Sequence, residues 1–207
     1  MTPGKLITLE GIEGVGKSSN VKFIAQTLER LGKSVMVSRE PGGTPLAEDI
    51  RQLLLKEYAE PTLAKTELLL LYAGRLQHVE QKIKPALKEG QWVVCDRFFD
   101  ATFAYQGGGR GIHASDIQMI HEWTLGDFAP DVTILLDAPV EITFERIKNH
   151  RTLDRFEKEQ MNFFQNIRQC YLDLAQQQSQ RFHVIDATAA LTQVQQHIEQ
   201  ILLRCVN

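Results

Sequence analysis

The chain has 207 residues, 43% of them hydrophobic and 24% charged, with a formal net charge of −3. That length can bury a full core without disulfides or a structural metal, so one domain spanning 1–207 is expected, and the charge offers no broad basic surface for nucleic acid or an anionic membrane. The three cysteines, Cys95, Cys170 and Cys205, lack CxxC spacing or a nearby His pair and read as reduced thiols of a cytoplasmic protein, and no apolar run reaches signal-peptide or membrane-span length.

In chain order, short continuous apolar runs end at polar or glycine-rich corners: Leu6 to Glu10, Ser34 to Ser38, Trp92 to Asp96, Val132 to Asp137 and His183 to Asp186. Continuous apolarity predicts strands buried on both faces, as in a parallel sheet, and the intervening segments carry the helical period that right-handed crossovers require. Helices are predicted over Gly16 to Leu31, stopping at Gly32, and over Pro45 to Lys56. Thr62 to Lys88 reads as a long helix with a kink or break at Pro85. Ser115 and Gln118 suit a capping box for a helix to about Leu125, and further helices are expected at Val140 to His150, Glu157 to Gln178 and Leu191 to Val206. The class is three-layer α/β.

Gly11-Ile12-Glu13-Gly14-Val15-Gly16-Lys17-Ser18 matches GxxxxGK[ST] between a strand and a helix. In that context backbone N–H groups and the helix N-terminus cradle phosphates, Lys17 bridges the outer ones, and Ser18 offers its hydroxyl to Mg²⁺. The ligand expected is a nucleoside triphosphate with magnesium. The same loop serves switches, motors and kinases, so function has to come from elsewhere. The guanine-reading NKxD and the DxxG switch of a GTPase are both absent from the sequence, which puts small-molecule kinases ahead of a nucleotide-dependent switch.

Asp96 and Arg97 stand at the carboxyl end of a predicted strand, where α/β sheets collect ligands. There Asp96 can orient magnesium water while Arg97 clamps an acceptor phosphate, and a strand-end salt bridge is the plainer alternative. Glu13 inside a triphosphate loop repels its own ligand unless something else binds the carboxylate; otherwise it is a solvent-facing loop residue. Tyr72 and Arg75 are three apart on a predicted helix and share a face, as a pair reading a base or as a core tyrosine beside a solvated arginine.

The ordered set GIEGVGKS, REPGG (Arg39 to Gly43), YAGR (Tyr72 to Arg75), DRF (Asp96 to Phe98), AYQGGGRG (Ala104 to Gly111) and LDRFE (Leu153 to Glu157) resembles the thymidylate kinase family through most of the chain. The resemblance implies a nucleoside monophosphate kinase fold of the P-loop NTPase type, a five-stranded parallel sheet ordered 2-3-1-4-5, ATP and dTMP as substrates, a mobile lid at about 146–156, and a homodimer. It implies further that Gly11 to Ser18 and Ser19 hold ATP, with Asp186-Ala-Thr188 toward the adenine. Glu13 would hold the 3′ hydroxyl of dTMP, Arg39 and Pro41 would lie about its base and phosphate, and Tyr72 and Arg75 would meet the base. Thr102, Tyr105 and Gln106 would form the inner wall on base and sugar, Tyr105 crowding the 2′ position, and Gly107 to Gly109 would let the backbone approach closely.

The phosphate loop supplies no arginine, so the resemblance draws the catalytic cation from the basic lid stretch. Arg151 is the expected one, Arg146 and Arg155 stand beside the triphosphate, and Lys148 and His150 occupy places where arginines are commoner.

Overall fold

The computed structural model describes residues 3–148 and 160–206. Strands β1 (Leu6–Glu10), β2 (Val35–Arg39), β3 (Trp92–Asp96), β4 (Val132–Asp137) and β5 (Phe182–Asp186) form one all-parallel sheet in the order β2-β3-β1-β4-β5. This is the expected order. β1 is flanked by β3 and β4, so the winding reverses there and a crevice opens beyond the carboxyl ends of β1 and β3.

Every residue of β1 is buried, and successive residues feed opposite faces. Ile7, Leu9, Trp92 and Val94 join a cluster with Ile24 and Leu28 of α1 (Lys17–Arg30) and Ile198 and Leu202 of α9 (Leu191–Val206). Leu6, Val93 and Cys95 join another with Val79 and Ile83. Two apolar faces covered by helices make the three layers.

Helix α2 (Pro45–Leu55) begins as sequence predicts, with Pro45 in its first turn and the Thr44 hydroxyl accepting from Ala47 N at 3.3 Å. The long segment predicted from Thr62 divides differently. α3 (Ala64–His78) runs into a π-helical turn, Val79–Ile83, before α4 (Lys84–Lys88), and Pro85 sits harmlessly in the first turn of α4. Pro85 cannot donate to a carbonyl one turn back, and the ladder absorbs this as a widened turn ahead of it, not a kink at it.

The glycine-rich stretch is also helical. α5 (Phe99–Thr102) continues as a π-helical segment, Phe103–Gly109. A Cβ on Gly108 would stand 2.8 Å from Cys170 Cβ and 2.9 Å from Asn166 O, and one on Gly109 would stand 2.5 Å from the Phe163 ring. These two glycines let this segment press against α8 (Met161–Gln177), so the close approach expected of them is made to a helix.

The capping box is not formed. α6 (Ala114–Leu125) starts one residue before Ser115, which is therefore already inside the helix, and Gln118 bonds Glu122 instead. α7 (Val140–Lys148) agrees with prediction where described, and α8 starts at Met161 after an extended Gln160 and ends at Gln177, inside the predicted Glu157 to Gln178; the predicted stretches at 149–150 and 157–159 fall outside the described residues. Cys95, Cys170 and Cys205 are free thiols, and among the described residues no helix is long and apolar enough to cross a membrane.

Candidate active site

Leaving β1, the chain turns through Gly11–Gly16 and enters α1 at Lys17, whose ammonium folds back over the loop. Its Nζ donates to the carbonyls of Gly11 and Ile12 at 2.8 Å each. Burial, reinforced by the nearby Arg97 charge, lowers the Lys17 pKa from 10.5 to about 8, while Glu13, Asp96 and Glu10 oppose the fall. Gly14, Gly16, Lys17, Ser18 and Ser19 line an open cavity of about 1460 Å³, adjoining solvent included, with Arg39, Arg51, Asp96, Arg97 and Arg146 around it. So many cations about one loop suit a polyanion. Ile12 and Val15 are buried in the core beneath and, like Gly11, do not line it.

A second cavity of about 660 Å³, adjoining solvent included, meets the first. Leu54, Leu55, Leu71, Phe98 and Ala101 form an apolar wall, and Pro41, Arg75, Thr102, Tyr105 and Gln106 complete it. Glu13, Glu40, Arg51 and Arg97 line both cavities and mark where they meet.

At that junction Arg97 Nη2 donates to Glu13 Oε1 at 2.7 Å, and the Tyr105 hydroxyl donates to the same carboxylate at 2.8 and 2.6 Å. The Arg97 guanidinium lies 4.7 Å from the Tyr105 ring centroid. Burial alone would raise the Glu13 carboxyl, but Arg97, Lys17 and the Tyr105 hydroxyl hold it below its ordinary value. Burial keeps the Tyr105 phenol protonated, so it can donate. Arg97 has φ 67, among the described residues the only non-glycine at positive φ. That conformation costs on the order of 1–3 kcal/mol and is held by Arg97 N donating to Leu9 O at 3.0 Å and by the Glu13 contact.

Beneath Arg97, Glu10 accepts from Phe98 N and the Tyr171 hydroxyl, both at 2.7 Å. Burial, with the charge of Asp100 added, raises its carboxyl from 4.5 to about 8, although Arg97 pulls the other way. A carboxyl raised in the fold stabilises it fully below the unfolded value and loses that contribution as pH rises through about 8. Between about pH 5 and 9, then, the melting temperature of the native chain should fall relative to that of Glu10→Gln, which carries no titrating carboxyl there. Parallel melting curves would contradict this.

Comparison with known proteins bears directly on these two cavities. The chain matches the family model described as thymidylate kinase over residues 9–198. It is 52% identical over 199 residues to a thymidylate kinase of Alcanivorax borkumensis, covering 96% of each chain. The thymidylate kinase of Neisseria gonorrhoeae is 47% identical over 198 residues, again 96% of each. The crystal structure of a thymidylate kinase from Ehrlichia chaffeensis superposes with a TM-score of 0.77 at 33% identity, covering 97% of this chain and 99% of that one.

The chain belongs to the thymidylate kinase family.

Placed on a thymidylate kinase framework, the residues singled out from sequence divide between the cavities. Lys17, Ser18, Ser19, Asp96 and Arg146 lie on the phosphate-loop side, where Arg146 also donates to Ala187 O at 3.0 Å, tying α7 to the Asp186-to-Thr188 turn. Arg39 lies on that side too, paired with Glu48 at 2.7 Å, and does not line the second cavity where the dTMP reading had set it. Pro41, Arg75, Thr102, Tyr105 and Gln106 line the second cavity, and Glu13 and Arg97 both.

Tyr72 requires correction. It does share a face with Arg75, whose guanidinium lies 4.8 Å from its ring, but the ring is fully buried behind that guanidinium, against Leu68, Ile112 and Ile117. Leu71, one residue earlier and four before Arg75, forms the cavity wall instead. Sequence reasoning also missed Arg51, which reaches both cavities and donates to Pro41 O at 3.1 Å. Its one signal was being the only basic residue of α2, directly after the REPGG turn. Arg151, Arg155 and His150 lie outside the described residues, as does the side chain of Lys148.

Proposed function

We propose that the chain transfers the γ-phosphoryl group of ATP to the phosphate of dTMP, giving ADP and dTDP. One observation carries this reading: a phosphate loop and a base-sized apolar cavity meet at Arg97, Arg51 and Glu13, so a donor and an acceptor phosphate can face each other across shared cations. An acceptor phosphate oxygen attacks the γ-phosphorus while the bond to the β–γ bridging oxygen breaks and its electrons leave with ADP. No covalent enzyme intermediate is required.

Lys17 exchanges its two carbonyl contacts for the outer phosphates, and Arg97 holds the acceptor phosphate with the fork of its guanidinium. Glu13 keeps Arg97 in place and has acceptor sites left for a sugar hydroxyl. Arg75, whose Nη1 is buried without a partner among the described residues, offers donors to the base edge, while Leu54, Leu71 and Phe98 cover its faces. Asp96, which lines the same cavity as Ser18, has its Oδ1 buried without a partner among the described residues. A carboxylate, a hydroxyl and phosphate oxygens make an oxygen donor set that fits Mg²⁺. When bound it would neutralise charge on the β- and γ-phosphate oxygens. Arg151 of the 146–156 lid remains the proposed further cation.

Steady-state assay of ADP release against a panel of nucleoside monophosphates tests the acceptor. dTMP should be preferred by orders of magnitude over dCMP, dGMP and AMP; equal rates without any acceptor would overturn the reading.

Tyr105 is proposed to crowd the 2′ position of the sugar. Tyr105→Ala should narrow the kcat/KM preference for dTMP over ribo-TMP, whereas Tyr105→Phe, which keeps the ring and loses the hydroxyl with its contact to Glu13, should retain it. An unchanged ratio in the alanine variant would remove this role.

The proposed molecule is cytoplasmic and homodimeric. Leu46 and Leu53 on α2, Leu69 and Leu76 on α3, and Met119 and Trp123 on α6 are exposed, Trp123 by 84%, on helices that pack side by side. An apolar face of this kind suits a second copy of the chain. Sedimentation should show a dimer that Trp123→Glu dissociates; a monomeric native chain would contradict it.

A further inference from the structure

From the wall of the second cavity inward, four buried side chains join into one polar chain. The Ser38 hydroxyl lies 2.7 Å from His78 Nε2, His78 Nδ1 lies 3.1 Å from Glu40 Oε1, and Arg75 Nε donates to Glu40 Oε2 at 2.6 Å. His78 has no exposed surface and lines neither cavity. A carboxylate only accepts, so the contact with Glu40 assigns a hydrogen to Nδ1, and Nε2 shares the second hydrogen bond with the Ser38 hydroxyl.

Each link fixes the next. Arg75 Nη2 is taken by Thr102 Oγ1 at 2.9 Å and Phe98 O at 3.3 Å, and Nε by Glu40, which leaves Nη1 as the one guanidinium nitrogen without an acceptor among the described residues, on a side chain that lines the second cavity. The plane of the guanidinium, and so the direction of Nη1, depends on where the Glu40 carboxylate stands. His78 holds the other oxygen of that carboxylate. Room for the ring comes from Gly43, at φ +93, where a Cβ would stand 2.4 Å from His78 Nε2 and 2.9 Å from Ser38 Oγ. His78 is also the last residue of α3, three beyond Arg75 on the same face, where the helix widens into its π turn.

We propose that His78 is a positioning residue of the acceptor site: through Glu40 it sets the orientation in which Arg75 presents Nη1 to the base of the incoming monophosphate. The inference rests on the reading of the second cavity as the dTMP site. It concerns binding of the acceptor and not the chemistry at the phosphates.

Three variants separate the two sides of the ring. In His78→Asn the amide nitrogen overlays Nδ1 and can still donate to Glu40; in His78→Gln the amide reaches the Nε2 position, near Ser38; His78→Leu keeps neither. Titration calorimetry with dTMP should give a dissociation constant close to native for Asn and raised about ten- to hundredfold for Gln and Leu, the scale of one buried acceptor losing its donor. KM for ATP and kcat at saturating dTMP should stay within about threefold of native in all three, since neither cavity loses a lining side chain. A role in packing alone would favour the better-filling Gln and Leu over Asn, and that order of affinities would overturn the proposal, as would native dTMP affinity in all three. Should the leucine variant fail to fold, the Asn against Gln comparison decides alone. Arg75→Ala, titrated in parallel, distinguishes the two levels: native dTMP affinity there would remove the acceptor-site reading itself, whereas a large loss there with native affinity in His78→Gln would remove only the part assigned to His78.

Discussion

Lys17→Ala should lower kcat by about 10²–10³-fold, the scale of deleting one positioned donor at developing charge, while the melting temperature stays near that of the native chain. The half-buried ammonium is held by two loop carbonyls and repelled by Arg97, so the fold gains little from it. A triphosphate needs the charge. With the ammonium lowered to about 8, the charged form is lost as pH rises through that value in the free enzyme, so kcat/KM for ATP should fall above about pH 8. In Lys17→Arg the break should move upward, because a guanidinium stays protonated there. Steady-state rates across pH 6–10 measure both effects; retention of most activity in the alanine variant would remove the phosphate-loop assignment.

Arg97→Ala should raise KM for dTMP by about 10²–10³-fold, as expected when a buried charge pair loses one partner, and lower kcat with it. The guanidinium is tied to Glu13 and stacked on Tyr105 at the junction of the two cavities, with its backbone held at positive φ to put it there. ATP should respond differently. Arg97 lowers the Lys17 pKa, so its removal should raise that value and shift the alkaline fall in ATP kcat/KM to higher pH. Binding of ATP alone should change by less than about threefold near neutral pH, where Lys17 is charged in both proteins. An equal loss of ATP and dTMP affinity would contradict the placement of Arg97 on the acceptor.

Much of this geometry could be read before any coordinates. β1, β3, β4 and α9 begin and end where their apolar runs and corners place them, because strands buried on both faces leave a continuous signal. Lys17, Asp96, Arg97 and Arg75 converge because the carboxyl edge of a parallel sheet and one helix face fix them.

What was hidden is the choice between equivalent faces and the widened helical turns. Leu71 and Tyr72 both lie one turn from Arg75, and periodicity does not say which row faces an internal cavity and which the core. Seven residues from Phe103 to Gly109 with three glycines carry loop propensity, and only packing against α8 makes them helical. Arg51 reads as an ordinary exposed helix cation until the REPGG turn folds beside it. Arg39 ends β2 at the crevice, where it pairs with Glu48 and lies on the phosphate-loop side.

The most direct test of phosphoryl transfer between the two cavities is to supply ATP labelled in its γ-phosphate together with dTMP and Mg²⁺, and to follow the label. It should appear in dTDP, in step with ADP, and in neither the nucleotide product nor free phosphate at comparable rate when dTMP is omitted. Label released as inorganic phosphate at the same rate with and without dTMP would contradict the transfer and leave the chain a hydrolase of ATP.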